Sequence, residues 1–111
     1  MSLDEHQYDE RALPELRALV QALDELDSDA FEAELSSDIL TLEFRDGERF
    51  VINSHRAARQ IWMAAARSAW HFDWDDPTRT WIASKTGDEL WSTVSRVLNA
   101  KLGQSLSLRA K

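Results

Sequence analysis

Residues 39–64, ILTLEFRDGERFVINSHRAARQIWMA, decide the fold. Leu40, Leu42 and Phe44 alternate with Thr41 and Glu43, the period of two that gives a strand one apolar and one wet face. Asp46-Gly47 follows and predicts a two-residue primed hairpin turn, in which both central positions take positive φ. In the next strand Phe50 and Ile52 take the core parity, and Val51 and Asn53 take the other. In a third, Ile61 and Met63 point inward while Gln60 and Trp62 point outward. The outer face therefore collects Asn53, Gln60 and Trp62, with His71 alongside. Amides beside an exposed indole suit a surface that grips a partner.

On the N-terminal side, Leu16, Leu19, Val20 and Leu23 fall at i, i+3, i+4 and i+7, the apolar stripe of a helix. Ser2-Leu3-Asp4-Glu5 has the form of a capping box and predicts a start near Leu3. Pro14 lacks an N–H and predicts a kink at residues 13–14. Residues 30–35 read as the first strand, with Phe31, Ala33 and Leu35 inward and Glu32 and Glu34 outward. On the C-terminal side, residues 54–59 read as a loop and 65–69 as a loop or helical turn, with Trp70 left unplaced. Strands follow at 71–74 and 80–83. Thr86-Gly87-Asp88-Glu89 predicts a second capping box, opening a helix whose stripe is Leu90, Trp91, Val94, Val97, Leu98 and Leu102. Gly103 ends it, and Leu106 and Leu108 are expected to tuck against the helices. Phe31, Phe72, Trp74, Trp81 and Trp91 are assigned to the core. The order is helix, five or six antiparallel strands, helix. Laying both helices on the single apolar sheet face gives a two-layer α+β sandwich, one domain over 1–111.

Charge separates the two ends of the chain. Residues 1–38 hold twelve acids and two bases, net −10, and residues 39–111 hold eight acids and eleven bases, net +3. An acidic end of this kind attracts cations or a basic protein surface and argues against nucleic acid. Asp24, Glu25, Asp27 and Asp29 crowd a helix C-terminus, where the dipole favours cations. With Glu32 and Glu34 on the first strand they form one ridge. Its ligands are all carboxylates, suited to hard cations, and ligand type alone does not select iron over calcium or manganese. His6, His55 and His71 lie far apart in sequence, so cation binding is expected to be weak and water-completed. On composition alone the ridge is equally a solvated acidic face.

With no cysteine, disulfides, thiolate metal sites and a cysteine nucleophile are excluded. No apolar run approaches the roughly 20 residues of a membrane helix. The acidic start MSLDEHQYDE is unlike a basic presequence, so a cytoplasmic protein is expected. Only three glycines are present, and no phosphate loop, metalloprotease helix or nucleophile motif occurs. His71 and Asp73 sit side by side on one strand face, but nothing accompanies them that would make an enzyme.

VINSHRAARQIWMA at 51–64, HFDW at 71–74 and TGDELW at 86–91 together resemble the frataxin family, in particular its bacterial CyaY branch. The likeness runs from about Phe31 to Gly103. It implies a monomeric, non-enzymatic accessory of iron–sulfur cluster assembly. Iron, as Fe(II) or Fe(III), would be held weakly on Asp24, Glu25, Asp27, Asp29, Glu32 and Glu34, with other divalent cations also accepted. The same ridge would dock on a basic patch of the cysteine desulfurase, and Asn53, Gln60, Trp62 and His71 would contact the desulfurase–scaffold machinery. An iron-storing ferroxidase and a metal-independent acidic adaptor are the alternatives. The sequence departs from the family at Pro14 within the first helix, at residues 54–59, which carry Arg56 and Arg59 in place of a usual proline, and at Ser68-Ala69, where Gly-Gly is usual. It departs again at Trp70, where a small residue or a tyrosine is usual.

Overall fold

The computed structural model describes residues 3–105 and Leu108. Two helices, α1 (Glu5–Glu25) and α2 (Leu90–Leu102), lie on one face of a six-stranded antiparallel sheet. The strands are β1 (Phe31–Ser36), β2 (Ile39–Phe44), β3 (Arg49–His55), β4 (Gln60–Ala65), β5 (Ser68–Asp75) and β6 (Thr80–Ala83), hydrogen-bonded in chain order. A short 3-10 turn, Arg56–Ala58, joins β3 to β4.

Alternation places the core as expected. Leu40, Leu42, Phe44, Phe50, Ile52, Ile61, Met63, Phe72 and Trp81 are buried from the sheet, and Leu16, Leu19 and Leu23 meet them from α1. From α2 come Leu90, Trp91, Val94, Val97 and Leu98. Trp74 is only half-buried and packs edge-on to Trp81 at 5.6 Å. Leu108 is buried, and its N–H donates to Ser95 Oγ at 3.0 Å. Leu106 lies outside the described residues.

The helix caps differ from expectation. Ser2 lies outside the described residues, and α1 is capped by Asp4, whose carboxylate accepts from the Gln7 N–H at 2.8 Å while Gln7 Oε1 accepts from the Asp4 N–H. Asp4 wins because a charged acceptor satisfies the orphan N–H groups and meets the positive helix end. The helix runs on through Pro14, which forgoes one hydrogen bond. α2 is capped by Glu89, which accepts from Trp91 N–H and Ser92 N–H, and not by Thr86. Thr86 Oγ1 instead accepts from the Asp88 N–H in the preceding turn.

Two turns also correct the sequence reading. Only Gly47 takes positive φ, at 91°, in the β2–β3 hairpin. Phe44 and Glu48 close a three-residue loop in which Gly47 is the left-handed last residue. Asp46 Oδ1 accepts from the Glu48 N–H at 2.9 Å, a bond that holds this longer loop. The two-residue turn with both residues at positive φ is Ala66-Arg67, at 51° and 67°, inside residues 65–69. It closes on the Ala65–Ser68 pair, so β5 starts at Ser68 and Trp70 takes a core-parity position opposite Met63. Residues 54–59 are likewise not all loop, since Ser54 and His55 finish β3 opposite Ile61 and Gln60.

Long-range polar ties hold α1 to the sheet. Tyr8 donates to the Gln60 carbonyl at 2.6 Å and so accepts from the Ser54 hydroxyl. Arg56 spans Glu5 and Asp9 of α1. Between the helices, Trp91 Nε1 donates to Glu15 at 2.9 Å. Burial pushes the Glu15 carboxyl above its ordinary range, an effect the Trp91 bond partly opposes. A carboxyl raised in the folded state costs nothing below its unfolded pKa and destabilises progressively as pH rises through its folded one. Glu15→Gln keeps an acceptor for the indole. It is expected to raise the thermal midpoint more at about pH 7 than at about pH 4; equal shifts at both would contradict this.

Candidate functional site

Two surfaces stand out, and they share one sheet face. The first is acidic. α1 ends at Leu26, Asp27 follows in the left-handed conformation (φ 50°), and the last helical turn holds no basic residue. The chain then turns directly into β1, so Asp24 and Asp27 line one groove together with Glu32 and Glu34. Asp29 and Glu32 share a neighbouring recess with Glu43 and Arg45. Glu25 is also exposed at the helix end. The structure thus brings the sequence-assigned ridge onto one edge of the molecule.

What sets Asp24, Asp27, Asp29, Glu32 and Glu34 apart is that, among the described residues, their carboxylates lack partners. Elsewhere surface acids are engaged: Asp46 and Glu48 by Lys101, Glu5 and Asp9 by Arg56, Glu43 by Arg49, Asp88 by Arg96 and Trp70. Hydrogen bonding from Lys101 holds the Asp46 carboxyl below the usual range and raises Lys101 in turn. Among the described residues, no ion pair or side-chain hydrogen bond engages the carboxylates of Asp24, Asp27, Asp29, Glu32 or Glu34. Glu32 even stands directly opposite Glu43 in the β1–β2 register, a like-charge pair that costs stability. Among the described residues no three His, Asp or Glu side chains converge on a point that could hold a metal ion. The ridge therefore offers a field of carboxylate oxygens, with no preorganised coordination sphere.

The second surface is the outer sheet face. Ser36, Ile39, Asn53, Trp62 and His71 form one cross-strand row over β1 to β5. Trp62 lies between two imidazoles. His71 stacks on it at 4.2 Å and 13°, and His55 covers the other side at 3.7 Å. Trp62 Nε1 donates to Gln60 Oε1 at 2.8 Å, and Gln60 Nε2 donates to Asp73 at 3.0 Å. These bonds, with an imidazole on either side of the ring, hold the indole in one orientation as a fixed platform. Asn53 adjoins it, its amide donating to the Ser54 carbonyl. Ile39, at 46 % the one large apolar side chain left exposed among the described residues, completes the row. The assigned residues Asn53, Gln60, Trp62 and His71 are thus gathered together. The sequence reading omits His55 because residues 54–59 read as loop. The parity Val51, Asn53, His55 was the available signal.

Glu32 and Glu34 have the same outward parity as Trp62, so ridge and platform open toward the same side. The frataxin-like domain model matches residues 1–104. The chain belongs to the frataxin-like family.

Among its relatives is the iron-sulfur cluster assembly protein CyaY of Thioalkalivibrio sulfidiphilus, 35% identical over 94 residues, covering 84% of this chain and 88% of that protein. The protein of the same name from Variovorax paradoxus is 28% identical over 112 residues, covering 97% of this chain and 99% of its own. Frataxin from Psychromonas ingrahamii has the same fold, with a TM-score of 0.84 at 19% identity over 95% of this chain and 97% of its own. Trimeric frataxin from the yeast Saccharomyces cerevisiae has a TM-score of 0.71 at 23% identity, over 94% of this chain and 84% of its own. The element order of this frataxin-like chain accords with that placement.

Because the ridge carboxylates repel one another and oppose the α1 dipole, neutralising them is expected to stabilise the protein. Asp24→Asn and Glu32→Gln should each raise the unfolding free energy by about 0.3–1 kcal/mol at low salt, less at high salt, in urea titrations. The two tryptophans at opposite sheet parity should differ in the same assay. Trp81→Ala should cost about 3–5 kcal/mol, and Trp62→Ala clearly less.

Proposed function

We propose that this chain is a non-enzymatic accessory of iron–sulfur cluster assembly, a role supported by the names of its relatives. In this reading it acts as a single-domain monomer in the cytoplasm. It holds Fe(II) or Fe(III) weakly on Asp24, Glu25, Asp27, Asp29, Glu32 and Glu34. It engages the cysteine desulfurase–scaffold complex through that ridge and through Asn53, Gln60, Trp62 and His71. The observation that carries the iron reading is the selective absence of partners: among the described residues, Asp24, Asp27, Asp29, Glu32 and Glu34 stay unpaired on a surface whose other acids are, Asp38 apart, engaged. Unpaired carboxylates in high dielectric cost little each, yet together they concentrate hard cations and steer a basic protein patch. Iron here is cargo, held with water completing its shell, and ready to leave.

The spread of these carboxylates favours a second reading, a metal-independent acidic adaptor, because no three donors converge. NMR titration with Fe(II) separates the two. Line broadening confined to residues 24–34 is expected, with loss of both that broadening and desulfurase binding in the combined variant Asp24→Asn, Asp27→Asn, Glu32→Gln, Glu34→Gln. No broadening, with desulfurase binding intact and insensitive to iron, would leave the adaptor.

A further inference from the structure

Beside the Trp62 platform, away from the ridge, lies a cavity of about 390 Å³ with the opposite electrostatic character. Its lining includes Gln60, His71, Ser84, Lys85 and Thr86, and among the described residues no carboxylate lines it. In a chain of net charge −7 with twenty acidic residues, a recess lined by a lysine and a histidine without an acid is a local inversion of sign.

The hydrogen-bonding inventory of the recess is one of donors. Among the described residues, Lys85 has no ion pair and no hydrogen-bond acceptor. Thr86 Oγ1 already accepts from the Asp88 N–H at 3.2 Å, which leaves its hydroxyl hydrogen to be given. The Ser84 hydroxyl is likewise uncommitted. His71, which also lines the recess, stacks its ring face on Trp62. Gln60 contributes wall only, since its amide is spent on Trp62 and Asp73. The neighbouring acids are held elsewhere: Asp73 by Gln60, Asp88 by Trp70 and Arg96. A lysine ammonium with no acid beside it in the lining, next to hydroxyls able to donate, is matched by a carboxylate, which accepts only.

We propose that this recess is a carboxylate-binding pocket, filled by an acidic side chain of the protein that docks on the outer sheet face. The occupant rests on the docking reading above and extends it. The recess borders His71, the last member of the row that runs from Ser36 through Trp62, so a protein seated on the indole reaches it. The row begins on β1, which carries Glu32 and Glu34, and ends on β5 beside Lys85. With strands about 4.8 Å apart, the acidic and donor-rich ends of the face are separated by about 19 Å. A partner is therefore read with a polarity: basic where it meets β1, acidic where it meets β5, apolar between. Reversing it places like charges together at both ends, which fixes the orientation of docking.

The test has two arms. In the first, ¹⁵N-labelled protein is titrated with N-acetyl-Asp-Glu-Asp-amide, with N-acetyl-Asn-Gln-Asn-amide as the neutral control and with inorganic phosphate at matched ionic strength. Saturable shifts confined to residues 69–71 and 83–86 are expected with the acidic peptide only, abolished in Lys85→Gln and kept in Lys85→Arg. No saturable shift, the same shifts in Lys85→Gln, or phosphate saturating those amides at lower concentration than the peptide would each overturn the pocket. In the second arm, affinity for the desulfurase–scaffold complex is measured. Lys85→Glu is expected to weaken it by about tenfold or more, and Trp62→Ala is also expected to weaken it. Weakening by Trp62→Ala but not by Lys85→Glu overturns the pocket and leaves docking standing. Binding indifferent to Trp62→Ala overturns docking and the assigned occupant together.

Discussion

Strand parity is the constraint on which everything else depends. Six strands in chain order put Leu40, Leu42, Phe50, Ile52, Ile61, Met63, Phe72 and Trp81 on one side of the sheet. Two helices are enough to cover that side, and the described residues hold no third element for the other. The opposite face therefore stays in water whatever is written on it, so its side chains are free of packing duty. An indole there, clamped by two imidazoles and tied to Gln60, is therefore not explained by core packing, while Trp81 across the sheet is part of the core.

Electrostatics is layered on this frame by position. At the start of α1 and along the β3–β4 connection, charges are matched: Arg56 with Glu5 and Asp9, with the Tyr8 phenol bonded to the Gln60 carbonyl nearby. Among the described residues, Asp24, Asp27, Asp29, Glu32 and Glu34, at the end of α1 and on β1, are unmatched and of one sign. The chain could have placed a base in the last turn of α1, as it places Lys101 in the last turn of α2. It has instead accumulated carboxylates against the dipole and opposite Glu43. A local arrangement that opposes folding and recurs at successive positions is not accounted for by stability.

Much of this could be read from sequence because period-two alternation survives tertiary context: the strand faces, both helix stripes, the ridge and the Asn53–Gln60–Trp62 cluster all follow from spacing. What could not be read was governed by single backbone conformations. Asp46-Gly47 looks like a two-residue turn, but the Asp46 carboxylate binds Glu48 N–H and a three-residue loop results. Ala66-Arg67 carries no turn signal at all, and pairing on either side imposes its shape. Ser2 and Thr86 match a capping pattern, yet Asp4 caps α1 through the Gln7 N–H and Glu89 caps α2 through two amides, carboxylates that also meet the positive helix ends. His55 was hidden by the arginines after it, and Trp70 could be placed only once β5 was known to begin at Ser68.

The Ala66-Arg67 turn carries a further consequence. Left-handed backbone costs an ordinary residue about 1–2 kcal/mol, and this hairpin adopts it twice in succession without glycine or asparagine. Six registered pairs between β4 and β5 enforce the bend against local preference. The hairpin thus keeps an unspent reserve. Sequence drift toward glycine at either position would make the molecule sturdier without touching a contact surface, which gives the lineage slack to absorb harmful changes elsewhere.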